Sequence, residues 1–212
     1  EGCGLDRRQL EYNINDVLLE RHSLAEVIRT VTAGFDLAPG GSDLTEAEVS
    51  LLQLPLREHR LLKALSKVRG QYDYLLLDCP PSLNTLTINA LVAADSVLIP
   101  MQCEYYALEG LTGLLNTIEK IAASVNQRLH VQGIVRTMFD ARTSLANQVS
   151  DELIQHFGKQ VYATAVPRNV RLAEAPSHGL PGVVYDRSSA GAQAYLALAQ
   201  ELLNQRQQEE SY

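Results

Sequence analysis

The sequence predicts an α/β fold, a mostly parallel sheet with helices on both faces. Apolar runs at 74–78, 96–100, 131–138 and 161–165 alternate with stretches of helical spacing. The run Tyr74–Asp78 is nearly all apolar before its aspartate, as in a strand buried on both faces, and it breaks at Pro80-Pro81. No repeat, low-complexity tract or linker divides the 212 residues, so one domain is expected over 1–204, with a polar, frayed tail at 205–212.

Apolar positions from Ile14 to Val31 fall at i, i+3, i+4 and predict helical segments, the second capped by Ser23. Phe35-Asp36-Leu37 gives a short strand leading into the turn Pro39-Gly40-Gly41. Residues 57–69 form an amphipathic helix that Gly70 stops. After the strand at 74–78 come a helix over Leu83–Ala94, a strand at Ser96–Pro100 and a helix at 105–125. A strand at Val131–Met138, a helix at 143–157 and a strand at Val161–Ala165 follow. The segment from Pro167 to Pro181 is a loop leading to a last strand at Val183–Tyr185. The closing helix, 188–204, puts Ala192, Tyr195, Leu196, Ala199, Leu202 and Leu203 on one face.

Composition narrows the function. With 46% hydrophobic and 20% charged residues the chain is that of an ordinary globular protein. No apolar run approaches the roughly 20 residues that span a bilayer, and the opening residues lack the order of a signal peptide. A cytoplasmic location with no membrane partner is expected. Cys3, Cys79 and Cys103 form no C-x-x-C pair, and the five histidines match no zinc spacing. The net charge is −7, yet residues 128–187 hold seven Lys or Arg against five acids, +2, so the remainder carries −9. A locally basic face suits salt-sensitive contact with DNA phosphates, or is simply a solvated face.

Asp78, at the carboxyl end of its run, is placed where α/β sheets bind ligands. A carboxylate there suits a hydrated Mg²⁺ beside a nucleotide phosphate, or it caps the next helix. No Gly-rich loop ending in Lys-Ser or Lys-Thr accompanies it.

Five blocks in register resemble one family. They are Leu77-Asp78-Cys79-Pro80-Pro81-Ser82-Leu83, Thr87-Ile88-Asn89-Ala90-Leu91, and Pro100-Met101-Gln102-Cys103-Glu104-Tyr105-Tyr106-Ala107-Leu108-Glu109-Gly110. Thr137-Met138-Phe139-Asp140-Ala141-Arg142-Thr143 and the run from Pro167 to Gly179 complete the set. The chain is similar to the ParA/Soj partitioning ATPases of the deviant-Walker group, which includes MinD. The resemblance implies a P-loop NTPase-like sheet lacking its amino-terminal strand, phosphate loop and helix, because no K-G-G-V-G-K-T-T-type loop or Asp-Pro-Gln-Gly-Asn motif occurs in these residues. A fragment of a longer protein, or of a damaged reading frame, is therefore expected.

The resemblance also implies roles. ATP closes a homodimer that binds DNA without sequence preference at the nucleoid, and a centromere-binding ParB-type protein stimulates hydrolysis. The replicon is a chromosome or a plasmid. Asp78 is the catalytic residue and holds Mg²⁺ through water, with Pro80 and Pro81 shaping the turn behind it. Thr137, Met138, Pro167 and Asn169 line the adenine pocket, although Met138 serves packing equally well. Arg142 and Arg171 contact DNA, or else pair with Asp140 and Glu174. Gln102 and Glu104 face the nucleotide or the second copy, or merely begin a helix. Glu109 and His178 have no nucleophile partner, so no hydrolytic triad is expected. The chain alone is expected to lack ATPase activity. The alternatives are a nucleotide-independent module binding DNA or ParB, or a decayed product. A MinD-like membrane cycle is disfavoured, since residues 196–212 contain only Arg206 as a base.

Overall fold

The computed structural model describes residues 2–6, 9–41, 44–80 and 82–209, with the side chains of 44–46, 208 and 209 outside that description. Pro81 lies outside the described residues. The chain forms two compact units interleaved in sequence, residues 5–97 with 116–130, and residues 1–4 with 98–115 and 131–212.

In the first unit, α1 (Ile14–Leu18) is closed by a capping box. Asn13 accepts from the Asn15 amide at 2.8 Å, and Asp16 accepts from the Asn13 amide at 3.0 Å. α2 (Leu24–Val27) begins after Ser23, whose amide and hydroxyl both donate to Glu26. The capping expected of Ser23 is therefore present, but the two helices are single turns. β1 (Arg29–Thr30) pairs antiparallel with β2 (Asp36–Leu37), the short strand that the sequence predicts.

α3 (Leu44–Leu52) supplies Ala47 and Leu51 to the core. The helix expected over 57–69 is shorter: a 3₁₀ turn at Arg57–His59, then α4 (Arg60–Leu65), then another 3₁₀ turn at Arg69–Gln71 that contains Gly70. Its apolar side chains still pack, with Leu61 joining Leu18, Leu51, Ala90 and Ala93 and with Val68 joining Val17, Leu24 and Val27. α5 (Thr85–Ala93) follows.

Residues 74–80 form no strand and belong to neither described sheet. Asp78 is exposed and Leu76 is 90% exposed, so the expected buried strand at 74–78 is corrected. The reason is physical. A strand exists only when it is paired, and none of the described strands pairs with this segment. Composition specified a buried strand, and pairing decided otherwise.

β3 (Ser96–Gln102), α6 (Ala107–Ser124), β4 (His130–Phe139), α7 (Ser144–Phe157) and β5 (Val161–Pro167) fall where alternation predicts them. The three strands make a parallel sheet in the order β3-β4-β5. The central strand β4 carries no proline, whereas Pro100 and Pro167 sit on the two flanking strands, where a missing ladder donor is tolerated. Helices cover both faces. Val135 packs with Tyr162, Val166 and Leu198, while the adjacent Arg136 turns to the other face and donates to Ser150 on α7. The α/β class is thus the one predicted.

Within the 167–181 loop, α8 (Val170–Glu174) and a 3₁₀ turn at Ala175–His178 form. Val183–Tyr185 is part of α9 (Gly182–Tyr185), a single helical turn and not the expected last strand. A three-residue apolar run does not distinguish the two, and among the described residues no neighbouring strand pairs with it. α10 (Ala190–Glu209) continues five residues past the expected end at 204, into the expected tail. Its buried face also differs. Ala192 is buried and Leu202 packs inward as expected, but Tyr195 and Leu203 are exposed, and Leu198 with Ala194 joins Leu202 against the sheet. Glu201 fixes the helix rotation by accepting from the Ala163 and Thr164 amides of β5 at 2.7 and 3.1 Å. Burial alone would raise the Glu201 carboxyl, but those bonds outweigh it and hold it below the usual carboxylate range.

Candidate functional site

The residues singled out by sequence fall in both units: Asp78 in the first, and Thr137, Met138, Pro167, Asn169, Arg142 and Arg171 in the second.

Asp78 stands on the segment without helix or strand that precedes α5. The far side of its turn is pinned. Asn84 accepts from the Thr87 amide at 3.0 Å, and the Thr87 hydroxyl donates to the Ser82 carbonyl at 2.7 Å. Glu48 accepts from the Asn84 side chain and the Thr85 amide, each at 3.3 Å. Asn84, not Asp78, caps α5. Among the described residues no group of three metal-ligating side chains occurs. A lone exposed carboxylate fits Mg²⁺, which dehydrates reluctantly and takes most of its ligands from water and phosphate.

Thr137 and Met138 lie near the end of β4, opposite the end of β5. Between the pairs Arg136↔Ala165 and Phe139↔Pro167, three steps along β4 match two along β5. The extra residue makes a bulge, and Met138 absorbs it with φ +51°. That left-handed backbone costs a residue with a side chain about 1–2 kcal/mol, and Met138 remains 43% exposed. Strain of this kind at a strand end is a feature of functional sites. The Arg168 amide donates to the Phe139 carbonyl at 3.4 Å and holds Pro167 beside it.

Asn169 caps α8 by accepting from the Leu172 amide at 3.3 Å, and among the described residues its side-chain NH₂ donates to nothing. Gly191 lets α10 approach this turn. A Cβ there would lie 2.5 Å from Leu172 Cδ1 and 3.0 Å from Asn169 Cβ. An apolar edge with a spare amide donor fits a flat heteroaromatic ring.

Both arginines are engaged. Arg142 holds Asp140 through Nε at 2.9 Å and Nη2 at 2.8 Å, with its own amide donating to the same carboxylate at 3.0 Å. These bonds keep Asp140 well below the usual range, at about 2. The pairing therefore persists at neutral pH and weakens only as pH falls from about 4 towards 2. Arg171 pairs with Glu174 at 2.9 Å and with Asp186 at 3.5 Å. Gln102 and Glu104 are exposed at and just beyond the end of β3, and Tyr105 and Tyr106 pack edge to face after them. His178 stacks on Tyr185 with ring centres 4.8 Å apart.

Three buried polar residues escaped the sequence reading. Asn89 donates to the Arg57 and Thr85 carbonyls and accepts from the Leu61 amide, tying α5 to the 57–61 turn. Asn126 donates to the Leu91 and Ala94 carbonyls at the end of α5. Arg136 donates to the Ser150 hydroxyl and to the Tyr162 and Ala163 carbonyls. For Asn89 and Arg136 the signal was an amide or guanidinium within a mostly apolar run, since buried polar groups must find partners, whereas Asn126 stands beside Gln127 and Arg128 and gave no such signal.

Comparison with known proteins gives the family. A model described as an AAA domain matches residues 1–131. Chromosome partitioning protein ParA of Caulobacter vibrioides is 47% identical over 206 residues, 96% of this chain and 77% of that protein. Sporulation initiation inhibitor protein Soj of Bacillus subtilis is 47% identical over 202 residues, 95% of this chain and 80% of that protein. The chain belongs to the ParA/Soj family. A solved structure of cobyrinic acid a,c-diamide synthase from Mycobacterium smegmatis, with a bound ATP analogue and magnesium, is 32% identical at a TM-score of 0.82. The match covers 97% of this chain and 77% of that one. The cell division ATPase MinD of Pyrococcus furiosus, 19% identical, shares the fold at a TM-score of 0.76, with 96% of this chain and 79% of that one covered. Within this ParA/Soj chain, no helix of the described residues is long and apolar enough to cross a membrane.

Proposed function

We propose that the chain acts in partitioning a chromosome or plasmid, as part of a nucleotide-dependent dimer that binds DNA without reading sequence and is released by a ParB-type partner. The carrying observation is 45–47% identity, along about 95% of the chain, to three proteins named for chromosome partitioning. Asp78 would hold Mg²⁺ through water, and Thr137, Met138, Pro167 and Asn169 would cradle the adenine. Magnesium bound with ATP supplies charge neutralisation for phosphoryl transfer. The chain's own part is to orient the ion through Asp78 and to hold the base against the strained end of β4. Arg142 and Arg171 would meet DNA phosphates, exchanging carboxylate partners for phosphate ones of similar geometry.

Loss of the gene is expected to raise the fraction of DNA-free cells, or of plasmid-free cells, counted by DNA staining or marker retention. Unchanged segregation would remove the reading. A second expectation concerns the chain alone. With no Lys-bearing phosphate loop among its 212 residues, it should turn over no ATP in a phosphate-release assay. Turnover that Asp78→Ala abolishes would overturn this.

A further inference from the structure

A cavity of about 300 Å³ opens in the first unit, between the α1–α2 connection and α4. Arg21, Arg60, Lys63 and Lys67 line it, against two carboxylates, Glu20 and Glu26. His22 adds a ring that stacks on Tyr12 at 3.6 Å. Four cations thus surround one small cavity on a chain of net charge −7, one of them, Arg21, also facing Asp16 at 3.9 Å.

The cations are positioned. The Arg60 side chain is only 12% exposed, and it donates to the Pro55 carbonyl at 3.1 Å while meeting Glu20 at 3.1 Å. Lys63 reaches the other Glu20 oxygen at 2.7 Å. Lys67 acts on Glu20 at longer range and makes no ion pair among the described residues. Glu20 is one of three described residues other than glycine with positive φ, at +58°. A strained backbone here carries a carboxylate onto two cations, the position that an external anion would take.

We propose that this cavity binds a small phosphate-bearing anion, such as a phosphate ester or the phosphate tail of a nucleotide, and that Glu20 occupies the site as an internal competitor. The chemistry fits. Guanidinium offers a fork of donors to phosphate oxygens, and lysine offers a mobile point charge. The cavity is at the lower end of ligand-site sizes and has only Val17, Leu24 and Ala64 as apolar lining, so the anionic group is what it recognises. None of its residues belongs to the nucleotide or DNA positions discussed above.

The test is a titration of the isotopically labelled full chain with pyrophosphate, followed by backbone amide NMR. Shifts concentrated at 20–26 and 60–67 are expected. Lys67→Glu should weaken binding about tenfold, the scale of removing one charge-assisted hydrogen bond. Glu20→Gln should tighten it about threefold or more by removing the competing charge. Both changes are at exposed side chains, and the unperturbed spectrum of each variant reports its fold. Absence of saturable shifts, shifts centred elsewhere, or weaker binding by Glu20→Gln would each overturn the proposal. So would a short DNA duplex that moves the same amides at concentrations where pyrophosphate does not.

Discussion

Gly133→Ala is expected to destabilise the second unit by about 3 kcal/mol, lowering its melting temperature by about 6–12 °C for a chain of this size. A Cβ at 133 would sit 2.4 Å from Tyr162 Cε2 and 3.0 Å from the Gln160 carbonyl oxygen. Neither neighbour yields easily. Tyr162 is 1% exposed and walled in by Val135, Val166 and Leu198, with Leu172, Ala194 and Leu202 behind. The carbonyl belongs to the turn that starts β5. The ring must leave its packed position or β4 must part from β5, and interiors at crystal-like density accommodate neither cheaply. Gly110→Ala gives the control. On α6 nothing lies within 4 Å of the added methyl, so helix propensity alone acts and gains about 0.5–1 kcal/mol. Thermal unfolding of the two variants should shift in opposite directions. Equal shifts would show that backbone freedom, not the clash with Tyr162, governs position 133.

The contrast between these glycines shows what a sequence reveals. Both look alike in the chain, and only the approach of β5 separates them. The same holds for larger elements. β3, β4, β5, α5, α6, α7 and α10 were legible because each is long enough for its period to stand out and because alternation specifies parallel pairing. The run at 74–78 has the strongest strand composition and forms no strand, since pairing is a property of two segments. Val183–Tyr185 and the phase of α10 failed for a related reason. A short run takes its conformation from its surroundings, and the rotation of α10 is set by Glu201 on the β5 amides, a polar contact that hydrophobic spacing does not register. At the site, residue types pointed to Asp78 and family blocks to the ends of β4 and β5. The left-handed Met138 and the Asn89 anchor needed coordinates, whereas the competition of Asp140 for Arg142 is one of the two readings the sequence leaves open.

That competition determines the last expected result. Arg142→Glu combined with Arg171→Glu should weaken binding to a random-sequence duplex by on the order of 10–100-fold at low salt. It should also reduce the slope of log affinity against log salt by about 2, one counterion for each phosphate that an arginine no longer neutralises. The fold should survive, because the Arg142 side chain is 90% exposed and that of Arg171 is 54% exposed. Exposed pairs of this kind contribute little stability. The local field, however, reverses. Asp140 would face a glutamate in place of Arg142, and Glu174 and Asp186 would face another in place of Arg171, leaving five carboxylates where two cations stood. Asp140→Asn should act in the opposite sense, releasing the Arg142 fork from a neighbour that stays ionised at neutral pH, and should tighten DNA binding several-fold with the salt slope kept. A purely structural pairing predicts something else, DNA affinity indifferent to both changes. Fluorescence anisotropy across a salt series distinguishes the two, because a phosphate contact changes the slope and an internal ion pair does not.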